Sequence, residues 1–194
     1  MAYEFSAQNH DWDLTLEASH VLLMLGQLFD RSSTKKVPRK NFSCLTGSML
    51  LSFCAIESFS ASVAFSMPSE DRYRDFDFEK YKQAQRFWDK IEMLCSAIQI
   101  NIDKSKGIFQ KIDEMRRWRN LVTHSSPYDI PPTIVADTVD APRKLHKPFE
   151  HKQYARTTDV QNAKTFYLTA SEYIELIKTR SGIDPRATVS YKVG

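Results

Sequence analysis

The segment between Lys40 and Met67 constrains the fold most, because it carries one formal charge, Glu57, over a length that could span a bilayer. Serines recur throughout the segment, so that it contains no unbroken apolar run of membrane length. A helix with this composition is typical of the centre of a soluble bundle, where it is buried on most sides. We therefore expect no membrane span, and a second helix from Asn41, a suitable N-cap, to Ser66.

Length and composition favour one all-helical domain. The 194 residues can enclose a core, and with 5 glycines few turns can need a positive φ. The net charge of +3 permits an anionic ligand without indicating one. Cys44, Cys54 and Cys95 have no metal or redox spacing, and we expect them to be reduced and buried in a cytoplasmic protein. Residues 1–13 lack the apolar core of a secretory signal.

Apolar residues at helical spacing predict an α-helical bundle of about five helices. The predicted helices cover residues 11–29, 41–66, 78–99, 104–123 and 158–180. The first has a broad apolar face formed by Leu14, Leu16, Val21, Leu22, Leu25 and Leu28. Pro38 is expected to lie in the loop that stops this helix, and Thr158 to open a capping box for the last helix.

The segment 125–157 interrupts this pattern. It contains five prolines and cannot form one helix. Long segments of this kind inside a domain are often functional, and this one could shape access to a site. The sequence thus predicts a single helical domain over 1–180, with a long proline-rich segment before its last helix. A loosely held tail is expected over 181–194.

Arg119 is the most informative residue of the predicted fourth helix. Its neighbours Ile108, Ile112, Met115 and Val122 define one apolar stripe. At about 100° per residue, Arg119 falls in the middle of that stripe and not on the solvated side. Because a guanidinium cannot stay unpaired in an apolar setting, it must meet an acid, a carbonyl, a phosphate or a partner chain.

Arg119 and His124 together suit RNA cleavage without a metal. An arginine holds phosphate oxygens in a planar fork, and a histidine exchanges a proton near neutral pH. One can stabilise charge on the phosphate while the other moves the proton of the 2′-hydroxyl or of the leaving oxygen. A purely structural interpretation also stays open, in which Arg119 is an ion-pair partner of Glu57 and His124 is an ordinary helix-terminal residue.

The pattern Arg119-Asn120-x3-His124, at the end of the penultimate long helix of an all-α chain, resembles the HEPN superfamily. The nearly uncharged second helix with its acid Glu57 is also similar to that family. The resemblance implies catalytic roles for Arg119, His124 and Asn120, and a supporting role for Glu57. It also implies a two-fold homodimer whose motifs meet in a cleft, with no metal or other cofactor.

Catalytic members of this superfamily are metal-independent endoribonucleases that leave 2′,3′-cyclic phosphate ends. They occur in toxin–antitoxin, phage-defence and RNA-processing systems. The implied partners are therefore RNA, a second copy and an antitoxin or nucleotidyltransferase-type protein. Other members are inactive, so that a non-catalytic module binding nucleotide, RNA or protein is the alternative expectation.

Three residues beside the motif, Arg116, Arg117 and Trp118, are candidate RNA contacts. Arginines suit the phosphate backbone, and an aromatic ring can stack on a base. Simpler interpretations are solvated helix-end charges for the arginines and a core position for the tryptophan. A basic patch at 143–152 could steer RNA. The remaining histidines show no metal-ligand pattern: His10, His20, His146 and His151.

Overall fold

The computed structural model describes residues 3–8, 11–31, 38–123, 157–185 and 188–193. Within these ranges the fold consists of six α-helices, one more than the sequence predicts, and two 3-10 turns between the second and third helices. The helices are α1 (Trp12–Arg31), α2 (Pro38–Ser66), α3 (Phe78–Gln83), α4 (Phe87–Ala97), α5 (Gly107–Thr123) and α6 (Val160–Ser181). The prediction of a helical fold is confirmed for the described residues, whereas the proline-rich segment lies outside them up to residue 156.

A short antiparallel strand pair joins the two ends of the chain. β1 (Tyr3–Gln8) pairs with β2 (Thr188–Val193), and the sequence pattern predicted neither strand. Beside this pair, the indole Nε1 of Trp12 donates to the carbonyl of Pro185 at 2.6 Å, and the ammonium of Lys178 lies 4.6 Å from the Trp12 ring. The end of α6 is thus fastened to the start of α1.

α2 is the central helix, in contact with α1, α4, α5 and α6. Its length and composition would allow a membrane span, but 61% of its most apolar window is buried within the fold. Its serines bond internally: Ser19 of α1 donates to the carbonyl of Ser48 at 2.9 Å, and the hydroxyls of Ser60 and Tyr173 lie 2.8 Å apart. Because these hydroxyls are satisfied, a serine-rich helix can occupy the core.

α1 and α2 approach each other closely through two glycines. A Cβ at Gly26 would lie 2.5 Å from Leu45 Cδ2, and a Cβ at Gly47 would lie 2.8 Å from Leu22 Cδ1. Each glycine therefore receives a leucine of the opposite helix. Any larger residue at either position would force that leucine to move.

The predicted apolar face of α1 is wrong for four of its six residues. Leu14, Val21, Leu25 and Leu28 are exposed to solvent. The helix instead packs through Trp12, Ser19, Leu23 and Gly26, all of which are buried. Periodicity located apolar residues on α1 but could not tell which side of the helix faces α2.

The predicted helix over 78–99 is two helices. Ala84 and Arg86, between α3 and α4, both have extended backbone, and the N–H of Ala84 donates to the carbonyls of Lys80 and Tyr81. Tyr81 before the break and Ile91 after it are both buried. Tertiary packing therefore causes this break, although the sequence pattern would have allowed one continuous helix.

The starts of α2 and α6 also differ from prediction. α2 begins at Pro38 rather than at Asn41, because a proline suits a first turn in which its missing N–H is not needed. Asn41 is not a cap, and its amide donates to Asp30 of α1 at 3.2 Å. The cap of α6 is Asp159, one residue beyond Thr158, and its carboxylate accepts the N–H of Asn162 at 2.7 Å.

The cysteine prediction is correct only in part. Cys44, Cys54 and Cys95 are all free thiols. Cys95 is buried and Cys44 is half-buried, but Cys54 is exposed on α2. The expectation of burial is therefore wrong for Cys54.

Candidate functional site

The spacing of the sequence placed Arg119 in the middle of the apolar stripe of α5, and the structure places it at the border of that stripe. Ile112 and Met115 are buried, and Ile108 and Val122 pack against the core. The side chain of Arg119 is 27% exposed, so that it reaches solvent from the border of this apolar stripe. The prediction that Arg119 is not on the solvated side of the helix is confirmed.

The guanidinium of Arg119 has three described contacts. Its Nη2 donates to Glu57 Oε1 at 2.8 Å, and its Nη1 donates to Asn120 Oδ1 at 3.2 Å. Its central carbon lies 5.1 Å from the ring centre of Phe53, within the range of a cation–π interaction. These contacts use two of the five N–H donors of the guanidinium and one of its two faces.

Phe53 and Glu57 reach the same guanidinium because they are four residues apart on α2 and therefore lie on one face of that helix. The sequence offered Glu57 as a candidate partner of Arg119 but did not single out Phe53. The spacing from Glu57 was the signal that could have identified it. The pair thus ties α2 to α5 at the edge of the core.

The side chain of Glu57 is 37% exposed, and burial raises the pKa of its carboxyl above the ordinary value. The charge and hydrogen bond of Arg119, and the charge of Lys90, oppose this shift without reversing it. Glu57 therefore accepts a proton at a higher pH than a solvated glutamate does. When it is ionised, this carboxyl can pair with Arg119, and when it is protonated, it can hold a proton beside the guanidinium.

A small cavity adjoins Glu57 on the side of α3 and α4. Its volume is about 110 Å³, and its polar lining includes Glu57, Ser60, Tyr81, Gln85 and Lys90. Gln85 belongs to the break between α3 and α4 that the sequence did not predict. Burial, followed by the charge of Glu57, raises the pKa of Tyr81 far above its ordinary value, so that its hydroxyl stays protonated. The space is large enough for a few water molecules next to the carboxyl.

The raised pKa of Glu57 gives the stability of the protein a pH dependence of definite sign. Folding raises the proton affinity of this carboxyl, so its contribution to stability is lost as the pH rises from 4.5, its ordinary value, through the raised pKa. Glu57→Gln cannot ionise and lacks this dependence. We expect the free energy of unfolding of wild type to fall relative to that of Glu57→Gln across this window, measured by urea denaturation at several pH values.

The control for that experiment is Glu114→Gln, which removes an exposed carboxylate from α5. A change of the opposite sign, with wild type gaining stability relative to Glu57→Gln as the pH rises, would show that the ion pair with Arg119 outweighs the burial of Glu57.

Arg116 and Arg117 converge on a buried acid that the sequence analysis missed. The carboxylate of Asp113 accepts Arg116 Nε at 3.0 Å and lies 2.7 Å from Arg117 Nη2. It also accepts the indole N–H of Trp88 at 2.9 Å. Burial alone would raise the pKa of Asp113, but these hydrogen bonds and the two guanidinium charges lower it on balance. Arg117, with a side chain 72% exposed, presents its charge to solvent.

Trp118 belongs to the core. The residue is 5% exposed, and its ring meets that of Phe166 of α6 edge-on, with the ring centres 5.4 Å apart. Its candidate role as a stacking surface for RNA is therefore corrected, because a buried ring offers no face to a base. The alternative core position for Trp118 is the one observed.

His124 follows Thr123, the last residue of α5, and lies outside the described residues. The same is true of the basic patch at 143–152 and of His10, His146 and His151. His20 is described, and it stacks on Tyr167 with ring centres 4.9 Å apart. In the described parts of the chain, no three side chains of His, Cys, Asp or Glu are grouped as metal ligands.

Comparisons with protein-family models, with curated proteins and with solved structures find no match to this chain. A functional assignment therefore depends on the side chains themselves, and above all on Arg119 with the residues around it.

Proposed function

We propose that this protein is a metal-independent endoribonuclease of the HEPN type. Arg119 would bind the scissile phosphate and stabilise the charge that develops on it. His124 would be the general acid or base, Asn120 would hold an oxygen or orient the histidine, and Glu57 would support Arg119 from α2. The reaction would be attack of the ribose 2′-hydroxyl on phosphorus, with departure of the 5′-oxygen and formation of a 2′,3′-cyclic phosphate.

The observation that supports this proposal is the state of Arg119. The guanidinium is oriented by Glu57 and Asn120 and backed by Phe53. The side chain of Arg119 nevertheless remains 27% exposed, and its described contacts leave N–H donors over. A preoriented cation of this kind is suited to a phosphate, because little reorganisation is needed when the anion arrives. His124 is five residues further along the chain, at the spacing of the motif.

The proposed cleavage reaction would need no cofactor. A positioned acid or base and a fixed cation are enough for transfer to the 2′-oxygen. Further proposals are RNA as the substrate, a second copy that brings two motifs together, and an antitoxin or nucleotidyltransferase-type protein as regulator. The same proposal includes a cytoplasmic location and a role as a toxin, a phage-defence protein or an RNA-processing enzyme.

The direct test is to incubate the purified full chain with single-stranded and structured RNA in the presence of a chelator. We expect cleavage that the chelator does not inhibit, and 3′ ends that mass spectrometry identifies as cyclic phosphates. Products ending in a free 3′-hydroxyl, or cleavage that requires added metal, would contradict the mechanism.

A second candidate function is a helical interaction module without catalysis. The observation in its favour is the ion pair itself, since Glu57 already occupies part of the guanidinium of Arg119. In this case the pair would fix α2 to α5, and the exposed arginines near it would bind RNA or a protein without cutting it. Binding of RNA with no cleavage in the chelator assay would favour this module over the nuclease.

A further inference from the structure

The cavity beside Glu57 is lined by three residues whose polar groups are not satisfied by the fold: Tyr81, Glu57 and Lys90. In the described part of the chain, the Tyr81 hydroxyl, the Oε2 atom of Glu57 and the Lys90 ammonium form no hydrogen bond or ion pair. Tyr81 is 3% exposed, and a phenol hydroxyl that is buried this deeply usually has a partner. The three groups therefore indicate that the cavity receives a ligand or bound water.

These three groups are neighbours around one space. The pKa of Tyr81 is raised by burial and then by the charge of Glu57, so its hydroxyl lies within electrostatic reach of that carboxyl. The ammonium of Lys90 lies 5.6 Å from the centre of the Tyr81 ring, and its charge acts on Glu57 in turn. Perturbed titratable groups that share a cavity are typical of binding and catalytic sites.

The cavity offers one hydrogen-bond acceptor and two donors. Glu57 Oε1 already accepts from Arg119, which leaves Oε2 as the acceptor. Lys90 can only donate, and the hydroxyl of Tyr81 stays protonated and can also donate. A ligand that fits this set presents one donor and two acceptors along one edge.

The pyrimidine bases of RNA have this pattern on their pairing edge. Cytosine donates from its amino group and accepts at a ring nitrogen and a carbonyl, whereas uracil donates from its ring N–H and accepts at two carbonyls. Guanine presents two donors and one acceptor, and adenine presents one of each. Unpaired bases are the ones that proteins read by this edge, because pairing covers it in a duplex.

The walls and size of the cavity also suit a single ring. Phe87 lines the cavity and packs on Phe53, the residue behind Arg119, with ring centres 5.0 Å apart. The volume is about 110 Å³, and two exposed residues of the lining, Ala61 and Gln85, mark its mouth. Since a cavity of about 150 Å³ holds a benzene ring, this one suits a pyrimidine that enters edge-first better than the fused rings of a purine.

We propose that this cavity holds a pyrimidine base of single-stranded RNA, in the nucleotide whose 3′-phosphate contacts Arg119. The base and the phosphate would share one carboxylate, because Glu57 lines the cavity and its Oε1 lies 2.8 Å from Arg119 Nη2. The proposal rests on the proposed function in placing RNA at Arg119, and it adds the base that is selected there.

The first test is the affinity of the full chain for the 3′-phosphates of cytidine, uridine, adenosine and guanosine, measured by calorimetry. These nucleotides carry the base and the phosphate without a bond to cleave. We expect the two pyrimidine nucleotides to bind about 10-fold more tightly than the purine nucleotides, as one or two additional hydrogen bonds would give. Equal affinity for all four, the result expected if the cavity holds only water, or tighter binding of a purine nucleotide would overturn the proposal.

Tyr81→Phe tests the cavity without removing a described hydrogen bond from the fold. It keeps the ring and loses only the hydroxyl, so that its melting temperature should not fall. The preference for pyrimidine nucleotides should fall by about 3- to 10-fold. Tyr73→Phe is the matched control, because it removes a hydroxyl that donates to the carbonyl of Ser181 at 3.1 Å. The control should lose stability and keep the preference, and the reverse pattern in the two variants would contradict the proposal.

Ala61→Leu tests the mouth of the cavity. Ala61 is exposed, so a leucine there should be tolerated by the fold while it narrows the entrance. We expect pyrimidine nucleotides to bind more weakly to this variant, whereas Ala18→Leu, at an exposed alanine of α1, should bind them like wild type. Unchanged binding by Ala61→Leu would place the base elsewhere and overturn the proposal.

Mapping of the cleavage sites separates this proposal from the proposed function. In the chelator assay, we expect cuts on the 3′ side of pyrimidines in unpaired RNA. Cuts after all four bases alike would overturn the pyrimidine cavity and leave the nuclease intact. Selective binding of pyrimidine nucleotides by a protein that cleaves no RNA would support the cavity and contradict the nuclease.

Discussion

Arg119→Ala is expected to lower the rate of RNA cleavage by about 100- to 1,000-fold, and His124→Ala by about 100- to 10,000-fold. The first variant removes the cation that stabilises the phosphate, and the second removes the group that moves the proton. The measurement is single-turnover cleavage of a labelled RNA in the presence of a chelator. The two losses should combine to less than their product, because both groups act on one transition state.

Arg119→Lys separates charge from geometry at the same position. A lysine keeps the positive charge but lacks the planar fork that binds Glu57 and a phosphate together, and it packs less well on the ring of Phe53. We therefore expect this variant to cleave much more slowly than wild type, though faster than Arg119→Ala. Arg180→Ala, which removes an exposed arginine at the end of α6, is the control and should cleave like wild type.

Stability must be followed in the same variants, since Arg119 also ties α5 to α2. The raised pKa of Glu57 lets its carboxyl take up a proton when the guanidinium is gone, which limits the cost of Arg119→Ala to the fold. Cleavage by His124→Ala at the rate of wild type would refute catalysis by this motif. Growth arrest of a bacterial host that requires both Arg119 and His124 would link the cleavage to toxicity.

The place of Arg119 could be predicted from sequence because it depends on one helix alone. The period of an α-helix is fixed by its backbone, so that Ile112, Met115 and Val122 define a stripe whatever packs on it. The partner of Arg119, by contrast, depends on tertiary packing. Glu57 is 62 residues away in sequence, so the sequence could offer it only as a candidate partner. Phe53, which lies against the guanidinium, was not predicted, although its spacing of four residues from Glu57 could have identified it.

Other parts of the fold could not be predicted because the deciding contact is long-range. In α1, apolar residues line two opposite sides, and only the close approach at Gly26 shows which one meets α2. The break between α3 and α4 contains no proline or glycine over Ala84 to Arg86 that would have predicted it. Its position is determined by the burial of Tyr81 before the break and of Ile91 after it. Asp113 gave no signal, since an acid near two arginines on a helix usually lies in solvent.

Trp118→Ala is expected to lower the free energy of unfolding by about 3–5 kcal/mol, as is usual when a buried aromatic ring is truncated. The ring is almost fully enclosed and meets Phe166 edge-on between α5 and α6, so that its loss leaves a cavity where these helices touch. In a chain of this length, that corresponds to a melting temperature lower by roughly 10 °C. Trp118→Phe keeps an aromatic contact with Phe166 and should lose less stability.

The same variants decide whether Trp118 also contacts RNA. Because its ring has no exposed face, the RNA affinity of folded Trp118→Ala, measured well below its melting temperature, should match that of wild type. A variant with unchanged melting temperature and weakened RNA binding would instead mean that the ring leaves the core to stack on bases. Arg117→Ala is the informative comparison, since the side chain of Arg117 is 72% exposed on α5. It should weaken RNA binding in a salt-dependent way if RNA crosses this part of α5.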